Sequence, residues 1–586
     1  MLKIFKYLKP REWLMAAVSL IFIVTQVWLD LKLPDYMSEI TTLTQTPGSA
    51  ISDIWLNGGY MLLCALGSLA AAIIVGYFAA RIGASFSQRL RSLLFNKVES
   101  FSMEEINSFS TSSLITRSTN DITQVQMLTV MALQLVIKAP IMAVWAIIKI
   151  AGKGFEWSMA TGIAVIFLMV VVALVMVFVV PKFRKMQILT DNVTRVTREN
   201  LTGLRVVRAY NADSYQGKKF EAANKELAGT QMFTQRAMAI MMPIMTAMVS
   251  GLALAIYWIG AYLIDAAGMA DKLEIFSNMV VFSQYAMQVI MAFAMLVMIF
   301  IMLPRATVSA KRINEVLDTE PRILDGNETE GKAGLSGEVE FKSVSFRYPD
   351  AAESVLEDIS FTAKRGETVA FIGSTGSGKS TLINLVPRFF DVTEGEILVD
   401  GVNVRDYRQE ALFNKIGYVP QKAVLFKGTV ESNVAFGDNG GNDYGIDEVK
   451  KAVRIAQGAD FVEKMDGEYE SSIAQGGNNI SGGQKQRLAI ARAVYRRPEI
   501  YIFDDSFSAL DYKTDRVLRS VLKKETAGVT SLIVAQRIGT IMDADQIIVL
   551  DEGRIVGKGT HKELLGDCAV YKEIAMSQLS EEELNS

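Results

Sequence analysis

Histidine and cysteine are almost absent from this chain of 586 residues, which contains only His561, Cys64 and Cys568. Two cysteines exclude a disulfide framework and a cysteine-based zinc site, and a single histidine excludes a histidine-cluster metal site. Neither sign of charge is in excess, because 60 Lys and Arg residues stand against 63 Asp and Glu residues, for a formal net charge of −3. A nucleic-acid partner requires a basic surface, so this balance argues against one.

Long apolar runs are missing from the second half of the chain and frequent in the first. About 20 apolar residues are needed to cross a bilayer. Six runs have about that length: residues 13–33, 58–80, 133–151, 159–180, 238–264 and 276–303. The sequence therefore predicts an all-α, six-helix transmembrane domain over residues 1–310. A linker at 311–335, where Asp, Glu, Gly and Pro are frequent, precedes a cytoplasmic domain at 336–586.

The basic residues are distributed unequally among the connecting segments. The segments after spans two and four are rich in Lys and Arg, whereas residues 35–57 contain neither. The positive-inside rule then predicts a multi-pass protein of the cytoplasmic membrane, with the basic segments and both termini in the cytoplasm. Because a long loop without secondary structure is uncommon, the helical apolar spacing at 87–101 and 192–227 predicts cytoplasmic helical extensions.

A phosphate-binding motif opens the second half of the chain. A short apolar run at 367–372 leads into G-x-x-x-x-G-K-S, and a helical run follows, which is the strand–loop–helix context that this motif requires. Backbone N–H groups, a lysine and a helix N-terminus there favour phosphate, and the serine hydroxyl favours Mg²⁺. The predicted nucleotide-binding residues are Gly373, Ser374, Thr375, Gly376, Ser377, Gly378, Lys379, Ser380 and Thr381.

Further motifs follow the phosphate loop in a specific order. The first is the sequence Ser481, Gly482, Gly483, Gln484. The apolar run 500–503 then ends in Asp504, which is typical of a buried parallel strand that delivers a carboxylate to Mg²⁺. Together with six preceding spans, these motifs resemble the ABC transporter family, in particular a half-transporter of the bacterial multidrug, heterodimeric exporter type. The resemblance covers essentially the whole chain and implies an α/β P-loop ATP-binding cassette that binds ATP and Mg²⁺.

The resemblance also assigns roles to individual residues. Tyr348 matches the aromatic residue that stacks on adenine, and Gln421 matches the glutamine that contacts Mg²⁺ and senses the γ-phosphate. Asp511 matches the aspartate that communicates across the cassette dimer, and the signature 481–484 matches the segment that closes over ATP held by the opposite cassette. Short helices near 105–110 and 207–211 would correspond to the coupling helices of the family.

Three positions depart from the family pattern. Asp505 stands where the catalytic glutamate is expected, Gln536 replaces the switch histidine, and Gln475 precedes the signature in place of a glutamate. One interpretation is tolerated variation in a slower but working ATPase. The favoured one is a degenerate ATP site in a transport-coupled ATPase, whose signature completes the catalytic site of a second, different half-transporter.

The membrane half gives weaker indications of substrate. Four methionines of span six share one helix face: Met287, Met291, Met295 and Met298. Methionine suits a surface that accepts many apolar shapes, and it suits ordinary helix packing equally well. No acidic residue lies deep within a predicted span, while Lys138 would attract an anionic group or extend to the interface.

The leading functional prediction is ATP-driven export of apolar small molecules or drugs by alternating access. The implied partners are a second half-transporter, membrane lipids and a hydrophobic small molecule. Two alternatives remain open at this point. One is a lipid or peptide exporter with the same ATP-driven mechanism, and the other is an ATP-gated sensor or regulator that transports nothing.

Overall fold

The computed structural model describes residues 2–46, 48–151, 154–268, 271–349, 351–437 and 444–579. The chain divides into two compact units. The first comprises Met1–Glu99 and Ser112–Thr319, and the second comprises Ser100–Thr111 and Glu320–Ser586. The short segment Ser100–Thr111, which the sequence prediction placed within the transmembrane domain, is thus grouped with the second unit.

The first half of the chain forms long helices. In chain order, after a 3₁₀ turn at Leu2–Tyr7, they are α1 Pro10–Gln45, α2 Ile51–Glu99, α3 Met103–Phe109, α4 Thr111–Thr116, α5 Ile122–Met131, α6 Lys138–Ile150, α7 Phe155–Thr202, α8 Leu204–Ala209, α9 Asp213–Ala266 and α10 Lys272–Asp318. Two π-helical turns, Arg117–Asp121 and Ala132–Val136, join α4, α5 and α6 into one helical run. Six helical segments among the described residues are long and apolar enough to cross a membrane, which confirms the predicted six-span fold.

The predicted helical extensions are also confirmed. Helix α2 continues to Glu99, α7 continues to Thr202, and α9 begins at Asp213, so all three helices run well beyond the predicted spans. At 49, 48 and 54 residues, respectively, they exceed the roughly 20 residues that a bilayer requires. The short helices α3 and α8 lie at the two positions where coupling helices were expected.

Two acidic residues of α1 lie close to the end of the first predicted span and pair with lysines of α6. Asp30, three residues before the end of the predicted span 13–33, accepts a hydrogen bond from Lys138 of α6 at 3.2 Å. Asp35 of α1 pairs with Lys149 of α6 at 2.6 Å. Lys138 is therefore already paired with a carboxylate of its own chain. The paired residues are about a hundred positions apart in sequence, so local sequence patterns do not indicate the pairing.

The second unit contains the strands. They are β1 Val339–Phe346, β2 Leu356–Ala363, β3 Thr368–Gly373, β4 Glu394–Val399, β5 Val402–Asn403, β6 Ile416–Val419, β7 Gly428–Thr429, β8 Ser472–Ile473, β9 Ile500–Asp504, β10 Thr530–Val534, β11 Gln546–Asp551 and β12 Arg554–Gly559. The helices are α11 Lys379–Leu385, α12 Gln409–Lys415, α13 Val430–Val434, α14 Gly445–Ile455, α15 Ala459–Val462, α16 Gly482–Tyr495, α17 Tyr512–Glu525, α18 Ile538–Ile541, α19 His561–Asp567 and α20 Ala569–Gln578.

Two larger sheets organise this unit, and β7 and β8 pair as a separate two-stranded sheet. A six-stranded sheet has the order β12-β11-β3-β10-β9-β6, in which only the edge strand β12 is antiparallel to its neighbour. A four-stranded antiparallel sheet has the order β2-β1-β4-β5. Side chains of β3 alternate between two cores: Val369 and Phe371 pack in one, and Ala370 and Ile372 in the other. Both faces of the parallel sheet are therefore buried, as its continuous apolar strands predict.

The segment around α3 is tied into the second unit by polar contacts. Ser102 caps α3 by accepting the N–H of Glu104 on its Oγ at 3.3 Å, and its own backbone N–H and hydroxyl donate to Oε2 of Glu105. The other oxygen of Glu105 accepts the backbone N–H of Arg322 at 3.2 Å. Phe101 and Phe109 stack at either end of the helix with ring centroids 5.9 Å apart. The short helix is thus anchored by its own cap and by the chain that enters the cassette.

Candidate functional site

The phosphate loop connects β3 to α11 and leaves no room for side chains at two of its glycines. A Cβ on Gly373 would stand 1.9 Å from the carbonyl oxygen of Leu550. Gly378 has a φ of +92°, and a Cβ there would stand 2.7 Å from Cδ2 of Leu356. Glycine is therefore required at both positions, and it lets the backbone N–H groups curve towards a phosphate.

Lys379 lies folded over this loop. Its ammonium group donates to the carbonyl oxygens of Gly373 at 2.9 Å and Ser374 at 2.7 Å, and to Oγ of Ser377 at 3.2 Å. Burial lowers the pKa of Lys379, although the charges of Asp504 and its neighbour act in the opposite direction. A partly desolvated cation held by neutral oxygens is suited to exchange those partners for a phosphate.

The two predicted Mg²⁺ ligands of the loop and the strand are in direct contact. Oγ of Ser380 donates to Oδ1 of Asp504 at 2.7 Å, and Asp504 ends the buried strand β9. Burial raises the pKa of Asp504, and the charge of Asp505 adds to this, while the Ser380 hydrogen bond opposes it. Among the described residues there is no cluster of three or more His, Cys, Asp or Glu residues able to hold a metal. A hydroxyl beside one carboxylate fits Mg²⁺ that takes its remaining ligands from phosphate and water.

Asp505 is held by two amide groups. Its Oδ2 accepts Nε2 of Gln536 at 2.8 Å and Nε2 of Gln421 at 3.3 Å. The backbone of Asp505 has a φ of +46°, a left-handed conformation that directs the short side chain at the end of β9. Burial raises the pKa of Asp505, although the Gln421 hydrogen bond lowers it. Three residues that the sequence identified separately therefore meet at one carboxylate oxygen.

Tyr348 and Thr381, at the two ends of the predicted nucleotide-binding set, are also close together. The Tyr348 hydroxyl lies 3.1 Å from Oγ1 of Thr381. The tyrosine ring packs edge-on against Phe346 and Phe390, with centroids 4.8 Å and 5.3 Å away. The structure thus fixes the ring by aromatic packing, and its stacking on adenine stays a prediction. Thr375 and Gly376 lie in the loop between β3 and α11, where both are exposed.

The signature segment caps helix α16. Ser481 Oγ accepts the N–H of Gln484 at 3.3 Å, and the Gln484 side chain accepts the N–H of Ser481 at 2.8 Å. Gly482 is exposed in the first turn of the helix, and Gly483 beside it is half-buried. The N-terminus of α16 therefore places backbone N–H groups and the partial positive charge of the helix at the surface of the cassette. This arrangement suits an anion that is held by another protein domain.

One contributor to the site was missed from the sequence. Gln486, on the buried face of α16, donates from Nε2 to the carbonyl oxygen of Pro420 at 3.2 Å. It connects the signature helix to the residue that precedes Gln421. Only 2% of Gln486 is exposed, and a buried polar side chain requires a hydrogen-bond partner. A polar residue on the apolar face of α16 was therefore the sequence signal for this contact.

The remaining predicted residues do not contact Asp504 or Asp505 in the hydrogen bonds described above. Asp511 caps α17 by accepting the N–H of Thr514 at 3.0 Å, and Gln475 lies in a 3₁₀ turn before the signature. On α10, Met287 and Met291 are exposed and Met295 is half-buried. The side chain of Met298 lies outside the described part of the structure.

Family models match both halves of the chain. Residues 14–293 match the ABC transporter transmembrane region, and residues 356–508 match the ABC transporter model. The chain belongs to the ABC transporter family. It carries the membrane domain and the ATP-binding domain of such a transporter in one polypeptide, with the exporter type of architecture. The ATP-binding domain implies transport-coupled ATPase activity with ATP, which such domains usually bind together with Mg²⁺.

Some relatives of this ABC transporter match nearly all of its length, and others match about two thirds of it. An uncharacterised ABC transporter ATP-binding protein of Mycobacterium tuberculosis (strain CDC 1551 / Oshkosh) is 39% identical over 98% of this chain and 97% of its own. Another, from Bacillus subtilis (strain 168), is 36% identical over 99% of both chains. An ATP-dependent lipid A-core flippase of Pseudomonas fluorescens (strain Pf0-1) is 35% identical over 67% of this chain and 63% of its own.

A solved structure has the same fold. It is a bacterial Atm1-family ABC exporter with ATP bound, and it superposes with a TM-score of 0.80 at 24% sequence identity. The match covers 98% of this chain and all of the other. At this identity the likeness concerns the fold, and it supports the assignment of the six spans and the cassette to one exporter architecture.

Proposed function

We propose that this chain is one half of a heterodimeric exporter and that its own ATP site hydrolyses ATP slowly. ATP binding brings its cassette and the cassette of a different half-transporter together, and hydrolysis proceeds mainly at the second site. The substrates are apolar small molecules, exported across the cytoplasmic membrane by alternating access. Both termini and the basic segments face the cytoplasm in this proposal.

The position of the Asp505 carboxylate carries the proposal. An aspartate is one methylene shorter than the family's glutamate, so its carboxylate stands roughly an ångström or more further from the attacking water, and a misplacement of ~1 Å can cost about 10²-fold in rate. The hydrogen bonds from Gln536 and Gln421 hold the carboxylate at its present place.

Gln536 adds a second change in the same site. A glutamine amide donates to a phosphate oxygen, but it is neutral and cannot exchange a proton near pH 7, as a histidine does. In contrast, the features for binding nucleotide and for serving another cassette are complete: Lys379 over the loop, Ser380 beside Asp504, and a capped, exposed signature at Ser481. A slow ATP site and a complete signature in one chain are the combination expected of a heterodimer, because the signature serves the ATP site of the other half-transporter.

Apolar substrates are supported by the exposed methionines of α10, Met287 and Met291. Their flexible, polarisable side chains adapt to different apolar shapes. A lipid substrate is the second candidate, because the relative from Pseudomonas fluorescens bears the name of a lipid A-core flippase. ATP-dependent accumulation in inside-out vesicles separates the candidates: dyes and drugs for the first, labelled lipid for the second, and neither for an ATP-gated sensor.

The experiment that tests the degenerate site replaces Asp505→Glu and Gln536→His together. The chain is purified with its second half-transporter, whose catalytic glutamate is replaced by glutamine so that the other site is silent. The signature of that half-transporter is brought to the complete form, because it must close over ATP held by this chain. The glutamate restores reach and the histidine restores proton exchange, so ATP turnover should rise by up to about 10²-fold.

A matched control carries Asp447→Glu, the same chemical change at an exposed position in the first turn of α14. Its turnover should equal that of the unmodified chain. The effects of the two site substitutions should be non-additive because both act on one reaction. Brisk hydrolysis by the unmodified chain beside a silenced second site would show that Asp505 is an adequate base, and the proposal would fail.

A further inference from the structure

Helix α20 of the cassette reaches the segment that carries Gln536. Residues 535–537 connect β10 to α18, and Gln536 is the middle one of the three. The side chain of Gln578, the last residue of α20, donates from Nε2 to the carbonyl oxygen of Gln536 at 2.9 Å. Its Oε1 accepts the backbone N–H of Ile538 at 2.9 Å. We call these two hydrogen bonds the Gln578 contact, and they hold the main chain on both sides of Arg537.

The Gln578 contact requires a side chain that donates and accepts at the same time. An amide carries an NH₂ donor beside a carbonyl acceptor, whereas an ionised carboxylate only accepts and an ammonium group only donates. The partners also define the orientation of the amide, because a main-chain carbonyl accepts and a main-chain N–H donates. The acceptor serves α18 directly, since the first N–H groups of a helix have no partner within that helix.

The Gln578 contact acts on the residue that meets Asp505. Gln536 donates from its own Nε2 to Oδ2 of Asp505 at 2.8 Å. Before Gln536 the chain is held by the parallel sheet, because the N–H of Ala535 donates to the carbonyl oxygen of Phe371 at 3.1 Å. After it, the Gln578 contact holds the carbonyl of Gln536 and the start of α18. The direction in which the Gln536 side chain leaves the main chain is therefore set from both ends of the segment.

Other residues than Gln578 hold α20 on the cassette. Tyr571 and Ala575 of α20 are both 0% exposed, and they lie in the same apolar core as Ile538 of α18. The Tyr571 hydroxyl also lies 2.6 Å from Nδ1 of His561. Gln578 itself is exposed, at the end of the helix. Because burial of the apolar residues already fixes the helix, docking of α20 does not account for the two hydrogen bonds of Gln578.

We propose that Gln578 is a positioning residue for the ATP site. It holds the main chain of Gln536 so that the Gln536 amide lies beside Asp505 and donates to the γ-phosphate of bound ATP. An NH₂ group has two N–H bonds, so it can donate to the carboxylate and to a phosphate oxygen at once. Helix α20 is thereby connected to the ATP site. This inference rests on the phosphate contact of Gln536 in the proposed function, and it is independent of whether hydrolysis at Asp505 is slow.

The first test separates the γ-phosphate from the rest of the nucleotide. The full-length transporter is placed in lipid nanodiscs in the assembly in which it is purified, and photolabelling of this chain by an azido derivative of ADP is measured on a gel. Competition by ADP and by the nonhydrolysable analogue AMP-PNP, each with Mg²⁺, gives two dissociation constants. Gln536→Ala should raise the constant for AMP-PNP about tenfold and leave that for ADP unchanged, because a hydrogen bond to the charged γ-phosphate is lost.

Gln578→Met keeps the length of the side chain and removes both hydrogen bonds. It should raise the AMP-PNP constant about fivefold and leave the ADP constant unchanged, because Gln536 is loosened rather than removed. Gln578→Glu should have the same effect although it has the same shape, since its carboxylate faces the carbonyl oxygen of Gln536. The matched control Lys572→Met places the same side chain at an exposed position of α20 and should change neither constant.

A double variant shows whether Gln578 acts through Gln536. In a Gln536→Ala background, Gln578→Met should cause no further loss of AMP-PNP affinity, because the side chain that it positions is absent. A further loss there, or an equal loss of ADP affinity, would indicate a merely structural role and overturn the proposal. An unchanged AMP-PNP constant in Gln578→Met, beside the expected loss in Gln536→Ala, refutes the proposal alone. No loss in Gln536→Ala refutes the phosphate contact of Gln536 as well.

The second test observes the segment directly. Hydrogen exchange of a peptide covering residues 535–541 is followed by mass spectrometry in the nucleotide-free transporter. Exchange at the Ile538 N–H should become about tenfold faster in Gln578→Met, because this group loses its acceptor. It should be unchanged in Lys572→Met. Equal exchange in Gln578→Met and the unmodified chain would show that another group holds the segment, and the positioning role would be wrong.

Discussion

Replacement of Lys415 by methionine should destabilise the cassette strongly, because Lys415 neutralises a carboxylate that has no access to solvent. Its ammonium group lies 2.8 Å from Oδ2 of Asp400, whose side chain is 0% exposed, and 2.9 Å from Glu499. Burial alone would lower the pKa of Lys415, but the hydrogen bonds of Asp400 and Glu499 outweigh it and the pKa is raised. Glu499 directly precedes β9, the strand that carries Asp504 to the ATP site.

The expected loss of unfolding free energy follows from the Asp400 carboxylate, which stays buried without its cation. Removing one partner of a buried ion pair costs about 3–5 kcal/mol. Asp400 would keep one hydrogen bond, from the backbone N–H of Glu338 at 2.9 Å, so we expect the lower end, about 3 kcal/mol. For a unit of this size each kcal/mol shifts the melting temperature by about 2–4 °C, so Lys415→Met should lower it by about 6–12 °C.

The assay is pulse proteolysis of the full-length protein in detergent across a urea series, which reports the unfolding midpoint of the cassette, with the melting temperature recorded in parallel. Arg554→Met is the matched control, because Arg554 is exposed and its partner Glu357 is partly exposed, and such a surface pair contributes about 0–1 kcal/mol. Adding Asp400→Asn to Lys415→Met removes the uncompensated charge and should recover part of the loss. A cost for Lys415→Met no greater than that for Arg554→Met would refute the reasoning.

Three further outcomes are expected. In a cysteine-free background, Thr46→Cys should react with an impermeant reagent on intact cells and Ser214→Cys only from the cytoplasmic side, so external labelling at the latter position would contradict the orientation. If the proposed heterodimer is correct, Ser481→Arg should nearly abolish its ATP turnover while Lys379→Ala slows it less, and equal complete loss would argue against a degenerate site. Burial lowers the pKa of His561. Below the unfolded-state pKa of ~6.5, the unfolded chain therefore binds a proton more readily than the folded chain does, and stability falls. The urea midpoint of the cassette should decrease more between about pH 7 and about pH 5 than it does for His561→Phe.

Features encoded by neighbouring residues were predictable from the sequence. The six spans follow from the length of apolar runs, and the phosphate loop follows from glycines, a lysine and a serine at set spacing between a strand and a helix. The contact of Ser380 with Asp504 was implied by the motifs, because the ends of parallel strands meet at one edge of a sheet. Each of these features depends mainly on residues that are close together in the sequence.

Pairings between distant residues were not predictable. The sequence shows Asp30 and Lys138 as isolated charges, and only the packing of α1 against α6 brings them together. The same holds for Gln486 and Pro420, which are 66 positions apart. The convergence of Gln421 and Gln536 on Asp505 likewise depends on how three separate loops close over the sheet. Such contacts belong to tertiary structure, and local patterns do not encode them.

The anchoring of α3 has a consequence for how this transporter can be divided for study. A fragment that begins at Glu320 omits Ser100–Thr111, although that segment belongs to the same compact unit. Such a fragment would lose the Glu105 acceptor of the Arg322 N–H and the Arg322–Glu104 ion pair. A soluble cassette preparation should therefore be supplied with a peptide covering residues 100–111, or have that segment fused ahead of residue 320, so that the entry of its chain keeps the partners that it has in the whole protein.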